Sequence, residues 1–213
     1  MAETSSQERD YLPGMGKHYL LPLYDVVHRV SGLSAVHQEM ITAAGLRAGH
    51  RVLDVGCGTG NLLRATGKRH RDVELFGVDP DLKMLARAER KFRRGGLTVR
   101  LDRGFAQELP HPDDSFDRVF SSLMLHHLDS ASKDEMLAEV RRVLKPGGLL
   151  VLADAVLHDH GHHGHRKMKE HLLDNVDGAV AKRIVAAGFT AEPTRRRKLR
   201  MFGEVGIEVA TVH

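Results

Sequence analysis

Nine consecutive residues, Val52–Gly60, restrict what this chain can fold into more than any other stretch. A short apolar run leads through Asp54 to Val55, and glycine then stands at positions 56, 58 and 60. The following segment, from Asn61, reads as a helix. A strand, a glycine turn and a helix in that order let a backbone approach a ligand closely, because no Cβ intervenes. The arrangement also directs the free N–H groups of a helix start at that ligand. The spacing narrows the ligand. A dinucleotide fingerprint needs G-x-G-x-x-G, and the position of its last glycine here holds Asn61. Asp54 would repel a pyrophosphate and suits a ligand with a positively charged end.

From Arg51 onward the hydrophobic period alternates between strand and helix. Strands are expected at Val52–Val55, Val73–Val78, Leu97–Leu101, Phe116–Ser121 and Leu149–Asp154. The intervening helices are expected at about Asn61–Arg69, Leu82–Arg93 and Ser132–Leu144, the last stopped by Pro146–Gly147–Gly148. Such alternation implies a parallel sheet covered on both faces. After a helix at about Val176–Ala187, Thr194–Phe202 and Ile207–Val212 read as a hairpin turning at Gly203–Gly206. The N-terminal Met1–Gly16 is polar, and Lys17–Ala44 carries apolar residues at helical spacing broken by Pro22 and Gly32. The expected division is an arm and helical lid over residues 1–44 and a ligand-binding core over 45–213.

A chain of 213 residues buries roughly 70% of its unfolded surface and needs no covalent staples. Its single cysteine, Cys57, excludes an intramolecular disulfide framework, opposes thiol-based catalysis and fits a reducing compartment. Met1–Asp10 lacks the features of a signal peptide, and the most apolar run, Leu149–Leu157, is too short to span a membrane and contains Asp154. These features point to a cytoplasmic protein, monomeric or homodimeric. The net charge is +4, with basic runs at Lys68–Arg71, Lys91–Arg94 and Arg195–Arg200. The first two end expected helices, where cations favour the dipole. With no Trp and little aromatic interleaving for stacking, the reading is against a nucleic-acid partner.

Four blocks in register resemble the class I S-adenosylmethionine-dependent methyltransferases, and within them the branch of ubiquinone/menaquinone C-methyltransferases and related small-molecule enzymes. They are Val52–Gly60, Gly77–Pro80, Leu109–Leu128 and Glu139–Leu152. The resemblance implies a Rossmann-like α/β fold: a seven-stranded, mostly parallel sheet with helices on both faces and a C-terminal antiparallel hairpin. It implies S-adenosyl-L-methionine as cofactor and a small-molecule acceptor, with RNA, protein or a non-catalytic binding role as alternatives. Carried onto this sequence, Asp54 holds the methionine amino group, and Gly56, Cys57, Gly58 and Gly60 give backbone access. Asp79, about 20 residues beyond the turn, accepts the ribose hydroxyls as in dinucleotide sites, with Pro80 and Met84 beside it. Ser121 and Ser122 pass the methionine portion. At the adenine end the family's acidic residue is replaced by Phe105, which can stack on the ring while the Ala106 N–H reaches the purine.

Methyl transfer needs a nucleophile in line behind the methyl group, and the driving force already lies in the cofactor. A dedicated base is therefore optional. His126 is the candidate catalytic residue, because it follows the fourth strand at the carboxyl edge where ligands of open α/β sheets bind. His127, Tyr19, Tyr24, His28 and His158 are candidate substrate contacts. The tract His158–His165 reads as a charged surface loop, and no metal is expected.

Overall fold

The computed structural model describes residues 32–156, 178–199 and 203–213. Helix α1 covers Leu33–Ala43. Strand and helix then alternate: β1 (Arg51–Val55), α2 (Asn61–Arg69), β2 (Glu74–Asp79), α3 (Leu82–Arg94), β3 (Arg100–Arg103) and β4 (Phe116–Ser122). A 3₁₀ turn at Leu125–His127 precedes α4 (Ser130–Val143) and β5 (Leu144–Val156). Helix α5 (Ala179–Ala186) leads to β6 (Thr190–Ala191), β7 (Arg195–Leu199) and β8 (Gly203–Thr211). Among the described residues no helix is long and apolar enough to cross a membrane.

The eight strands form one sheet in the order β3-β2-β1-β4-β5-β8-β6, with β7 also paired to β8. β1 to β5 run parallel, and β8 lies antiparallel between β5 on one side and β6 and β7 on the other. β6 and β7 follow the same flank of β8, from Thr190↔Thr211 to Leu199↔Gly203, with one extra residue between the two registers. They are one edge strand interrupted at Glu192–Thr194, where Pro193 has no N–H to give to the ladder. Counted as positions, the sheet has the seven expected.

Strand alternation divides the core into two layers. Val52, Leu75, Phe120, Val151 and Ile207 face α1, α2 and α3, meeting Met40, Leu63 and Ala88. Leu53, Phe76, Val119, Leu150 and Ala210 face α4 and α5, meeting Leu137, Val140 and Ile184. Burial on both faces explains the near-continuous apolar runs of these strands.

Several boundaries differ from the sequence expectation, among them β5, which begins at Leu144 so that Pro146–Gly147–Gly148 lies within the strand rather than in a turn before it. The third strand begins at Arg100 rather than Leu97, because the Gly96 and Leu97 N–H groups close the end of α3 on Arg93 O and Phe92 O. Helix α4 starts at Ser130 because Asp129 caps it, accepting the Ser132 N–H at 2.8 Å. Gly203–Gly206 is not a turn. It is the start of β8, paired on both sides, and Val205 within it is fully buried.

One clamp joins the third and fourth sequence blocks. Both Glu139 oxygens accept from Arg142, through Nε and Nη2, at 2.7 Å each. The rest of the Arg142 fork donates to Leu109 O, His111 O and Asp113 Oδ1, at 3.1, 2.8 and 2.7 Å. Glu139 Oε2 also accepts the Leu109 N–H at 2.8 Å. Arg142→Met keeps the aliphatic stem and removes every one of these donors. It should cost about 1–3 kcal/mol, towards the lower end because water reaches both partners and screens the pair. A urea titration checks this as a lower midpoint with an unchanged slope, and an unmoved midpoint would mean that packing alone holds the loop.

Candidate active site

The strand order reverses between β1 and β4, and open α/β sheets bind ligands at the carboxyl ends of the strands beside such a reversal. Here the cleft lies between the turn after β1 and the residues after β4, under α1. Its lining includes Asp54, Gly56, Cys57, Gly58, Ser122 and Leu123, with His37 from α1.

All three turn glycines take left-handed backbone, with φ of 72°, 52° and 71° at Gly56, Gly58 and Gly60, a region costly for other residues. Their surroundings differ. A Cβ on Gly56 would stand 2.3 Å from Met124 Cγ, and one on Gly60 would stand 2.3 Å from Phe92 Cζ. A Cβ on Gly58 would meet nothing within 4 Å. Gly56 and Gly60 thus permit close packing within the protein, and Gly58 faces open space.

The turn is tied to the end of β2. Val78 O accepts the N–H groups of Gly56 and Cys57 at 2.8 and 3.0 Å. The two carboxylate oxygens of Asp79 accept from Gly58 N–H at 2.8 Å and Asp81 N–H at 2.9 Å. Three N–H groups of the turn are therefore committed to β2, ahead of the helix start at Asn61. Asp79 does not cap α3. That role belongs to Asp81, whose side chain accepts from Lys83 N–H and Met84 N–H. The Cys57 thiol packs over Gly77, where a Cβ would approach Sγ to 2.9 Å. Burial, and then the charges of Asp54 and Asp79, push this thiol well up, so it acts as a small apolar filler.

Asp54 is almost wholly buried, and its Oδ1 has no hydrogen-bond partner among the described residues. Burial, with the Asp79 charge added, raises its carboxyl well above the ordinary range. Burial also raises Asp79, against the opposing pull of its two backbone hydrogen bonds. An unmatched buried carboxyl is costly unless a donor or cation completes it. Ser121 Oγ is a second buried polar atom without a partner among the described residues. Ser122 Oγ pairs with His37 Nε2 at 3.2 Å. Leu123, next along, takes φ 54°. Its N–H donates to Ala153 O at 2.8 Å.

Beyond the cleft, His126 and Asp154 form a pair, the carboxylate buried and the ring partly so. Asp154 Oδ1 lies 2.5 Å from His126 Nδ1 and accepts the Ala155 N–H at 2.7 Å. Asp154 Oδ2 accepts the His126 backbone N–H at 2.9 Å. Burial works against charge on both groups. The Asp154 charge and hydrogen bond nevertheless carry the His126 ring above the ordinary imidazole value. In return the His126 charge and hydrogen bond, with the two backbone N–H groups, hold Asp154 below the carboxylate range. With Nδ1 engaged by the carboxylate, Nε2 is the nitrogen left for chemistry. The His127 ring stands 4.2 Å from that of His126, centroid to centroid. Asp154 also lines a second cleft, together with Thr194, Arg196 and Glu208.

The structure thus brings Asp54, Gly56, Cys57, Gly58 and Ser122 to one cleft. Asp79 sits at its edge through the Gly58 bond, with Pro80 and Met84 following. Phe105 and Ala106 continue from Gly104, whose N–H donates to Asp79 O at 3.4 Å. Tyr19, Tyr24, His28 and His158 lie outside the described residues. Two residues escaped the sequence reading as site residues. Asp154 registered only as the charge interrupting an apolar run, which is itself the signal. His37 sits among the apolar positions of α1, and its burial marks a polar group facing a neighbour. Arg195, Arg196 and Arg197, the core of the most basic run, pair with Glu192, Glu204 and Glu39.

Residues 52–148 match the family described as methyltransferase domain. The chain is 38% identical over 141 residues to a ubiquinone/menaquinone biosynthesis C-methyltransferase of Bordetella avium, covering 64% of this chain and 54% of that protein. It is 37% identical over 138 residues to a demethylmenaquinone methyltransferase of Deinococcus radiodurans, covering 63% and 56%. The matched chain therefore spans little more than half the length of these relatives. Among solved structures, a SAM-dependent methyltransferase from Aquifex aeolicus superposes with a TM-score of 0.70 at 23% identity, covering 92% of this chain and 97% of that one, a likeness of fold.

The His126–Asp154 pair sets a pH dependence. His126 is raised in the folded state, so its contribution to stability is full below its unfolded value of about 6.5 and is lost as pH rises through the raised value. Asp154 is lowered, so its contribution is full above about 3.9 and is lost as pH falls through the depressed value. The pair stabilises most between those limits. Proton NMR of the His126 ring should give a midpoint above the ordinary imidazole value that drops in Asp154→Asn. A midpoint indifferent to that substitution would show that the carboxylate does not hold the ring.

Proposed function

We propose that the chain carries a class I S-adenosylmethionine-dependent methyltransferase domain and transfers a methyl group from S-adenosylmethionine to a small-molecule acceptor. Asp54 and Asp79, two carboxylates flanking an open glycine turn, carry this assignment. The residues present fit the cofactor. The orphaned Asp54 Oδ1 gives the ligand's ammonium end an ionic partner, and the space at Gly58 admits it without a side chain in the way. Asp79 keeps lone pairs beyond its two backbone bonds for the ribose hydroxyls. The Cys57 and Gly60 backbone borders the same turn, with Gly56 behind it against Met124. With the cofactor bound, Ser121 and Ser122 would hold the methionine portion, Pro80 and Met84 the ribose, and Phe105 with Ala106 the adenine.

When bound, S-adenosylmethionine supplies an electrophilic methyl group on a sulfonium sulfur. The chain's own work is to position the acceptor and to take its proton. His126 Nε2 is the base in this proposal, with Asp154 fixing the ring through Nδ1 and stabilising the charge it gains. Below its raised titration point the ring already carries a proton on Nε2, so turnover rises as pH climbs through that point. Residues 1–44 are kept as an arm and lid and 45–213 as the core, with Tyr19, Tyr24, His28, His127 and His158 as the candidate acceptor contacts. The likeness to demethylmenaquinone and ubiquinone/menaquinone methyltransferases favours a quinol-type acceptor. In this proposal the protein works in the cytoplasm as a monomer or homodimer.

Calorimetry of the full chain with S-adenosylmethionine and with its demethylated product tests the premise directly, and absence of binding at millimolar ligand would overturn it. Asp79→Ala should weaken binding tenfold or more, from losing charge-assisted hydrogen bonds of roughly 1.5–3 kcal/mol. Unchanged affinity would displace the ribose from this carboxylate. With a demethylated quinol as acceptor, Asp154→Asn should lower kcat at least tenfold, within the about 10²–10⁴-fold that a general base contributes. It should also shift the pH profile to lower pH while cofactor affinity stays the same. Loss of rate with an unmoved pH profile would reduce Asp154 to a structural part.

A further inference from the structure

Helices α2 and α3 enclose a groove of about 350 Å³ lined by Arg64, Arg87, Arg90, Lys91, Arg94 and Gly95. On α3 the cations stand at positions 87, 90, 91 and 94, the spacing that stacks side chains on one helix face. Arg64 reaches the groove from α2. Arg64, Arg87, Arg90 and Arg94 have no carboxylate partner among the described residues, in contrast to Arg142, Arg183, Arg195, Arg196 and Arg197, which all pair with acids. Lys91 is held at the inner wall, its Nζ donating to Asn61 Oδ1 at 2.6 Å and Thr59 Oγ1 at 3.1 Å. Like charges at this helical spacing repel one another. No fold requirement concentrates them here, since Leu85, Ala88 and Phe92 on the opposite face of α3 make the core contacts.

We propose that this groove is a binding site for a compact oligophosphate group, two or more linked phosphates presented as one dense anion. Guanidinium forks match phosphate oxygens two at a time, and several converging on one cavity suit clustered rather than single charges. Among the described residues the lining contains no aromatic side chain on which a base could stack. A cavity bounded by two helices also differs from the basic stripe that tracks a nucleic-acid backbone. The site is separate from the methyl-donor cleft and shares with it only the wall at Thr59 and Asn61.

Calorimetry of the full chain with inorganic tripolyphosphate, orthophosphate, a nucleoside triphosphate and a short single-stranded RNA tests the proposal. Tripolyphosphate should bind at least tenfold more tightly than orthophosphate, with an affinity that falls as salt rises. Equal binding of the nucleoside triphosphate identifies the phosphate group alone as the ligand, and tighter binding identifies a nucleotide as its source. Arg87→Gln with Arg90→Gln should weaken tripolyphosphate at least tenfold while thermal unfolding stays as in the parent. Arg94→Gln alone provides the same comparison should the double variant fold poorly. No heat with tripolyphosphate, or an affinity unchanged in these variants, would overturn the site. An RNA binding more tightly than tripolyphosphate through the same arginines would overturn the compact ligand in favour of nucleic acid. S-adenosylmethionine binding, titrated in the same samples, separates failure here from failure of the methyl-transfer assignment.

Discussion

The hold of β2 on the turn after β1 fixes everything downstream of it. Val78 O takes two N–H groups of the turn and the Asp79 carboxylate takes a third, so the glycine backbone is set by a neighbouring strand rather than by a ligand. The same carboxylate bonds the Asp81 N–H at the entry to α3. One short segment thereby couples the first strand, the second strand and the helix after it. Because Asp79 is both a structural acceptor and a candidate ligand contact, its geometry is already set before anything binds, the condition under which polar recognition costs least reorganisation.

The two-layered core explains where the chemistry sits. Val52 and Leu53 point to opposite faces. Asp54, two residues after Val52, therefore falls on the face covered by α1, where His37 meets Ser122. At the neighbouring strand end, Asp154 on β5 reaches back to the His126 backbone and ring. A buried carboxylate that satisfies two backbone N–H groups as well as an imidazole is stable in its charged form, which leaves the ring as the member of the pair that exchanges protons.

Much of this was readable from residue order because it depends on local chemistry. The glycine spacing and the strand–helix alternation each have a cause within a few residues. What escaped the reading depends on partners far along the chain. Gly203–Gly206 looks like a turn by composition, yet pairing with β5 on one side and β7 on the other makes it a central strand. Leu97 and Val99 look like strand residues, yet the closure of α3 holds that stretch outside the sheet, and both pack against the core from a loop. Asp154 and His37 acquire meaning only from residues 28 and 85 positions away. The basic runs show the same divide, because whether an arginine is neutralised depends on which acid the fold delivers to it.

The sheet's two margins bear on how this protein behaves when crowded. β3 is four residues long with arginine at both ends, and the opposite margin is broken at Pro193 before the arginine-rich β7. An incoming strand from another chain would find too few consecutive open backbone groups on either side, and charged side chains where it tried to dock. The paired arginines of β7 are in this light gatekeepers against edge-to-edge growth into fibrils.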